Sequence, residues 1–157
     1  MYNHIKEIVA DSEKTGKPIS ELIIEQECQM SGLPREKVWN KMKYNLETMR
    51  DAVKKGRSGN GVFSSTGLTG GEAVKIKKYI EKGHTLSGDT IMTAVQNAVA
   101  TNEVNAAMGV ICATPTAGSS GTLPGVLFLL EKRLNLTEEQ MIHFLFTAGG
   151  FGMVIAN

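Results

Sequence analysis

Residues 34–56, "PREKVWNKMKYNLETMRDAVKKG", decide the fold class of this chain. Their apolar residues recur at intervals of three and four, at Val38, Met42, Leu46, Met49 and Val53. That spacing places the five side chains along one face of a helix, where they can be buried together. Because proline favours the first turn of a helix and glycine its end, the helix is predicted to begin at Pro34 and end near Gly56.

The rest of the chain repeats this helical pattern. Five more helices are predicted, in "MYNHIKEIVADSEK", "PISELIIEQECQMSG", "EAVKIKKYIEKG", "GDTIMTAVQNAVATNEVNAAMG" and "TEEQMIHFLFTAGG". Gly32 is expected to cap the second of these, and Thr137 with Gln140 forms a capping box that opens the last. Gly149 and Gly150 are expected to close it. Since no segment alternates with period two, the sequence predicts an all-α fold of about six or seven helices.

Length and composition indicate one soluble globular domain. The chain has 157 residues, of which 41% are hydrophobic and 21% charged, which excludes wholesale disorder. A formal net charge of +1 gives no general attraction to nucleic acid or to a membrane surface. No apolar stretch reaches the roughly 20 residues of a membrane span, and the first residues lack the apolar segment of a signal peptide. The cytoplasm is therefore the predicted location.

Three glycine-rich segments interrupt the helices: "GRSGNGVFSSTGLTGG", "MGVICATPTAGSSGTLPG" and "AGGFG". In the first two, serine and threonine precede a helix start, where hydroxyl groups and free backbone N–H groups can hold an anion. Neither segment is a P-loop, because no Gly-Lys-Ser/Thr follows the glycines. The alternative is that these residues only form turns and helix caps.

Asn102 and Asn105 form a second signal, near the end of the helix "TNEVNAAMG". They lie three residues apart, on nearly one face, and asparagine is only a middling helix former. Two explanations are open: hydrogen bonds to a neighbouring loop, or direct contact with a substrate. Glu103 lies between them, and we interpret it as a solvated or paired surface charge rather than a general base.

The two cysteines, Cys28 and Cys112, lie far apart in the sequence. This spacing excludes a disulfide framework and a CxxC metal site, and no metal-ligating residue is predicted.

The segments "SSTGLTGGEA", "TNEVNAAMGVICATPTAGSSGTLPGVL" and "FTAGGFGMVIAN" resemble the α subunit of bacterial iron–sulfur-dependent L-serine dehydratases. The opening, "MYNHIKEIVADSEKTGKPISELIIEQE", resembles the start of the two-subunit type. The resemblance runs from the first residue to the last. Its most diagnostic part is "NEVNAA" followed by the Gly-Ser-rich sequence "CATPTAGSSG".

The resemblance implies a lyase that deaminates L-serine to pyruvate and ammonia, in a complex with a β subunit. It also implies a [4Fe–4S] cluster, held by three cysteines, that acts as a Lewis acid on the substrate hydroxyl. Family α subunits are nearly twice as long, and their cluster cysteines lie in the part beyond Asn157. Residues 1–157 are therefore expected to be the N-terminal part of the α subunit, with no cluster and no activity alone. Without its C-terminal half, the apolar end is expected to form a homodimer or to be mobile.

The resemblance also gives the glycine-rich loops a role, since a serine carboxylate needs hydroxyl and backbone donors. Asn102 and Asn105 are secondary candidates for this substrate site, and the residue that removes the α-proton is not assigned. The competing hypothesis is a non-catalytic helical module that binds a small anion or a partner protein. The substrate-binding residues are predicted to be Ser64, Ser65, Thr66 and Gly67 in the first loop and Thr116, Gly118, Ser119 and Ser120 in the second.

Overall fold

The computed structural model describes residues 2–114 and 116–156. Within these residues the chain forms seven helices and no strand, which confirms the predicted all-α fold and the predicted number of helices. In the same residues, no helix combines the length and the hydropathy that crossing a membrane requires. The helices are α1 (Ile5–Thr15), α2 (Ile19–Ser31), α3 (Arg35–Gly56), α4 (Glu72–Glu81), α5 (Gly88–Ala106), α6 (Thr122–Leu134) and α7 (Glu138–Ala156).

The capping signals read from the sequence are present in α2, α3 and α7. α2 ends before Gly32, which has a φ of 67° and donates its N–H to the carbonyl oxygen of Cys28 at 3.0 Å. α3 begins directly after Pro34. Before α7, the N–H of Thr137 donates to Gln140 Oε1 at 2.8 Å, and the N–H of Gln140 donates to Thr137 Oγ1 at 3.2 Å. The predicted capping box is confirmed.

The predicted end of the last helix at Gly149 and Gly150 is wrong, because α7 continues to Ala156. Neither glycine has the positive φ that a C-capping glycine adopts. Instead, Gly150 packs so closely on α2 that a Cβ there would lie 2.5 Å from Ile23 Cγ1. This glycine therefore permits a close helix–helix contact, which the sequence alone did not distinguish from a helix stop.

The chain divides into two compact units, and α3 contributes residues to both. The first unit comprises Met1–Leu46 and Thr137–Asn157, and the second comprises Glu47–Leu136. In the first unit α2 packs against α7, and in the second α5 packs against both α4 and α6. This division does not test the prediction of a single domain over residues 1–157. All ten candidate substrate residues belong to the second unit.

Small residues let α6 approach α5 closely. A Cβ on Gly121 would lie 2.3 Å from the carbonyl oxygen of Ala98, and one on Gly125 would lie 2.9 Å from that of Ala94. Any larger residue at these two positions would push the helices apart. Since Gly121 directly precedes α6, the close contact also fixes the end of the second loop against α5.

Candidate functional site

The first loop is a compact, hairpin-like turn that precedes α4. Phe63 and Gly70 form an isolated antiparallel bridge, and the N–H of Ser64 donates to the carbonyl oxygen of Thr69 at 2.9 Å. Gly70 has a φ of 134°, and a Cβ there would lie 2.2 Å from the carbonyl oxygen of Val62. Only glycine fits this close approach of two backbone segments. The aperiodic segment of the sequence therefore has a defined path.

The tip of this turn exposes Ser65 and Thr66. The N–H of Gly67 donates to the carbonyl oxygen of Ser64 at 2.9 Å, which leaves Ser65 and Thr66 at the two corner positions. Thr66 Oγ1 lies 3.2 Å from Ser64 Oγ, so these two hydroxyl groups are partnered inside the turn. Within the described residues, neither the hydroxyl nor the N–H of Ser65 has a hydrogen-bond partner. Ser65 is thus the serine of this loop that a ligand can reach without breaking an internal bond.

Ser119 organises the second loop. Its Oγ donates to the carbonyl oxygen of Thr114 at 3.0 Å and accepts the N–H of Thr116 at 3.2 Å. In return, Thr116 Oγ1 accepts the N–H of Ser119 at 3.2 Å and lies 2.9 Å from Ser119 Oγ. These reciprocal bonds close the loop on itself and leave Gly118 exposed at its tip. The hydroxyl of Ser119 is therefore committed to loop structure.

Asn102 and Asn105 both contact this second loop. The buried hydroxyl of Ser120 donates to the carbonyl oxygen of Ala117 at 2.7 Å and lies 3.5 Å from Asn102 Oδ1. Asn105 Nδ2 donates to the same carbonyl oxygen of Ala117 at 3.4 Å. Both asparagines therefore form hydrogen bonds with a neighbouring loop, which is the first of the two explanations given for them.

Glu103 is buried, so its interpretation as a surface charge is wrong. The residue is 5% exposed. Its Oε1 accepts the backbone N–H of Glu72 at 2.5 Å and that of Ala73 at 3.2 Å, at the start of α4. These donors and the positive end of the helix take the place of water around one carboxyl oxygen. The other oxygen, Oε2, is buried with no hydrogen-bond partner within the described residues.

Burial controls the protonation of Glu103. Desolvation, followed by the neighbouring Glu72 carboxyl, raises the pKa of Glu103 to about 7, although the two backbone donors oppose the shift. The interaction with Glu103, together with backbone donors such as the N–H of Gly70 at 2.9 Å, lowers the pKa of Glu72. Glu103 therefore retains its proton to near neutral pH while Glu72 is ionised.

A group of polar side chains that was not predicted from the sequence holds α5 to its neighbours. Gln96 Nε2 donates to the carbonyl oxygen of Ala73 at 3.0 Å. Asn97 Nδ2 donates to the carbonyl oxygen of Gly125 at 3.4 Å, and Asn97 Oδ1 accepts Arg57 Nη1 at 2.8 Å. A signal was present in the sequence, since two adjacent amide side chains inside an alanine-rich helix require partners if they are buried.

One turn of α5, residues 102–105, contacts both loop regions. Glu103 binds the start of α4, directly after the first loop, while Asn102 and Asn105 contact the second loop. Within the described residues, no hydrogen bond joins a candidate residue of one loop to one of the other. The structure thus connects the two loops through a shared helix.

The residues of this chain do not fit a [4Fe–4S] cluster. The sequence contains two cysteines, whereas the resemblance implies three thiolate ligands. Cys28 and Cys112 also belong to different compact units. Burial raises the pKa of the Cys112 thiol, which disfavours the thiolate form that binds metals. In residues 2–114 and 116–156, no group of three or more His, Cys, Asp or Glu side chains is placed to hold a metal ion.

A family model described as "Serine dehydratase alpha chain" matches residues 14–157. The chain belongs to the serine dehydratase alpha chain family. It is 52% identical over 157 residues to the "Probable L-serine dehydratase, alpha chain" of Bacillus subtilis (strain 168), covering 100% of this chain and 52% of that protein.

Two further relatives match the chain at lower identity or over less of its length. The "L-serine dehydratase, alpha chain" of Peptoniphilus asaccharolyticus is 30% identical over 155 residues, which are 99% of this chain and 53% of that protein. A "Probable L-serine dehydratase, alpha chain" of Latilactobacillus sakei is 64% identical over 69 residues, 44% of this chain and 33% of that protein. The chain thus spans about half the length of the two relatives that it matches throughout. No solved structure matches it significantly.

Proposed function

We propose that this chain is part of an L-serine dehydratase, a lyase that converts L-serine to pyruvate and ammonia. The observation that carries the proposal is the family match over residues 14–157, together with the 52% identity to a probable L-serine dehydratase α chain over all 157 residues. The designation "alpha chain" of these relatives implies an enzyme of more than one subunit. A bare helical module that binds an anion does not account for identity along the whole chain.

In this proposal the two loops hold the carboxylate of L-serine. Each loop exposes donors at its tip: the hydroxyl and N–H of Ser65 in the first, and the backbone N–H of Gly118 in the second, none with an acceptor within the described residues. Backbone N–H groups and hydroxyl groups are the donors that a small carboxylate requires. Their fixed orientation lets them hold the substrate without reorganising during the reaction.

The support of the two loops by α5 favours this role. Glu103 fixes the start of α4 after the first loop, and Asn105 contacts the second loop only two residues further along the helix. A displacement of α5 would therefore move both loops together. Support by one helix fixes the positions of the donors in the two loops relative to each other. The orientation of a substrate requires such fixed donors.

The rest of the enzyme supplies what this chain lacks. We assign the [4Fe–4S] cluster to residues outside this chain, because two cysteines cannot provide three ligands. The proposed partners are the remaining, C-terminal half of the α subunit, a β subunit and a second copy of the chain. We place the enzyme in the cytoplasm and expect this chain to be inactive without its partners.

The experiment is to replace Ser65 and Ser119 separately by alanine in the complete enzyme and to measure kcat/KM for L-serine. A hydrogen bond lost to a charged group lowers kcat/KM by about tenfold or more. For Ser65→Ala we expect this loss with an unchanged melting temperature, because the hydroxyl has no partner within the described residues. For Ser119→Ala we expect lower activity and lower stability, because Ser119 Oγ bonds to Thr114 and Thr116.

Ser87→Ala is the matched control, since Ser87 is an exposed serine of the second unit whose side chain makes no capping bond within the described residues. It should leave activity and stability unchanged. Wild-type kcat/KM in the Ser65→Ala enzyme, with the cluster intact, would show that the first loop is a turn with no part in substrate binding.

A further inference from the structure

A pocket of about 330 Å³ in the second unit has a strongly basic lining. Five of its nine lining residues are cationic and one is acidic, in a chain whose formal net charge is only +1. None of the ten candidate substrate residues lines it. The cationic residues are Arg50, Lys54, Arg57, Lys77 and Lys132, and the acidic one is Glu131.

Arg50 neutralises the single carboxylate of the pocket. Its Nη1 and Nη2 each lie 2.9 Å from one oxygen of Glu131, in a two-pronged ion pair, and its guanidinium lies 4.8 Å from the ring centroid of Phe128. Such a pair leaves little negative charge for the other cations. Lys77 reaches another carboxylate, that of Glu81, only at 4.0 Å and at an exposed position. The pocket therefore carries an excess of positive charge.

Among these residues, Arg57 gives the strongest indication of an anion-binding site. It is half-buried, and its hydrogen-bond partner is the neutral amide of Asn97. Within the described residues, no carboxylate lies within ion-pair distance of it. Because the side chain is half-buried, its charge is only partly solvated, and this burial lowers the pKa of the guanidinium. A partly buried charge without a counter-charge is costly, and an anion in the pocket would compensate for it.

The ordinary explanation for clustered cations is the helix dipole. Lys54 and Lys55 lie in the last turn of α3, and Lys132 lies in the last turn of α6, where positive side chains are favourable. That explanation does not cover Lys77, in the middle of α4, or Arg57, which follows α3. It also gives no reason for residues from three helical segments to face one cavity.

We propose that this pocket binds a small anion that carries phosphate groups. The volume lies at the lower end of the range of small-molecule sites, about 300–1,000 Å³. Arginine forks and lysine point charges around one cavity are the donors that phosphate oxygens require. None of the residues proposed to bind the substrate lines this pocket, so its ligand is a second small molecule.

The test is a titration of the full chain with pyrophosphate at constant ionic strength, followed by calorimetry. We expect saturable binding of one pyrophosphate per chain, which weakens as salt is raised. Lys54→Gln and Lys132→Gln should each weaken it by about threefold or more, since each removes a charge beside the anion. Lys55→Gln is the matched control: it removes the same charge from the same turn of α3, but Lys55 does not line the pocket.

Equal weakening by Lys55→Gln would overturn the proposal, because it would show a general effect of surface charge. Absence of saturable binding by the wild type would overturn it too. A titration with citrate in place of pyrophosphate tests the class of ligand. Tighter binding of citrate would indicate a polycarboxylate ligand and contradict the proposal of a phosphate-bearing anion. Thermal melts of the three variants are the check on folding, and unchanged melting temperatures are expected because all three lysines are exposed.

Discussion

Oε1 of Glu103 accepts the backbone N–H of Glu72 at 2.5 Å, and this bond joins the end of α5 to the start of α4. Within the described residues, no side chain of the first loop caps α4, since its N-cap residue is Gly71. A buried carboxyl group from another helix therefore performs the capping that a serine or aspartate usually provides. The same turn of α5 carries Asn102 and Asn105, which contact the second loop.

Replacing Glu103 by glutamine should remove a pH dependence of stability. The pKa of Glu103 is raised from 4.5 to about 7 in the folded chain, so the folded state binds more protons than the unfolded state between these values. The unfolding free energy of the wild type should therefore fall across this window, by about 2–3 kcal/mol relative to Glu103→Gln, and level off above it. Glutamine still accepts the N–H of Glu72, so the cap survives.

Chemical denaturation at pH values from about 4 to 8 measures this difference. Glu47→Gln, at an exposed position of α3, is the control and should follow the wild type. The lowered pKa of Glu72 acts in a different window, since its contribution is lost only as the pH falls below 4.5. Parallel curves for the wild type and Glu103→Gln between pH values of about 4.5 and 7 would contradict the burial of an ionisable Glu103.

Gly121→Ala should destabilise the chain, whereas Gly118→Ala should not. A Cβ on Gly121 would lie 2.3 Å from the carbonyl oxygen of Ala98, a backbone atom that cannot move aside. Among the described residues, one on Gly118 would meet nothing nearer than Thr116 Oγ1 at 3.9 Å. We expect a loss of about 2–3 kcal/mol for the first and less than about 0.5 kcal/mol for the second, from urea unfolding. Similar values for the two would show that α6 does not approach α5 so closely.

Gly149→Ala should stabilise α7, although its neighbour cannot be changed in the same way. A Cβ on Gly149 would meet no atom of the described residues within 4 Å, and alanine is favoured over glycine inside a helix by about 1 kcal/mol. At Gly150 the Cβ would lie 2.5 Å from Ile23 Cγ1, so Gly150→Ala should lower the melting temperature. A drop in melting temperature for Gly149→Ala would mean that the helix ends before this residue.

Six of the seven helices in the described residues were predicted, because their signals are local, whereas α6 (Thr122–Leu134) was not. The apolar spacing of α3 and the hydrogen bonds between Thr137 and Gln140 depend only on residues within a few positions of each other. Gly150 shows where this fails, since its packing on Ile23 depends on a residue more than a hundred positions away. A glycine that ends a helix and one that permits a close contact look the same in a single sequence.

The candidate site was predictable in part. The hydroxyl-rich loops and the two asparagines stand out in the sequence, and the structure places Asn105 against the second loop. The role of Glu103 was not predictable, because its burial depends on α4, which lies about 30 residues away in the sequence. Arg57 and Asn97 were not assigned for the same reason: Arg57 lies in a glycine-rich segment and Asn97 in a helix 40 positions away, and only the fold brings them together.

The pairing of Arg57 with Asn97 gives a final prediction. Asn97→Ala removes the acceptor of Arg57 Nη1 at 2.8 Å and the donor to the carbonyl oxygen of Gly125 at 3.4 Å. The side chain of Asn97 is almost completely buried. Buried groups that lose their partners cost about 1–3 kcal/mol each, so the unfolding free energy should fall by about 2–4 kcal/mol.

Asn97→Asp keeps an acceptor for Arg57 and adds a counter-charge, so it should retain more stability than alanine does. It should also weaken pyrophosphate binding in the basic pocket, since a carboxylate would then neutralise Arg57 from within. Urea unfolding of both variants, together with the pyrophosphate titration of Asn97→Asp, measures these effects. If aspartate proves as damaging as alanine, the interaction of residue 97 with the Arg57 charge is not what stabilises this part of α5.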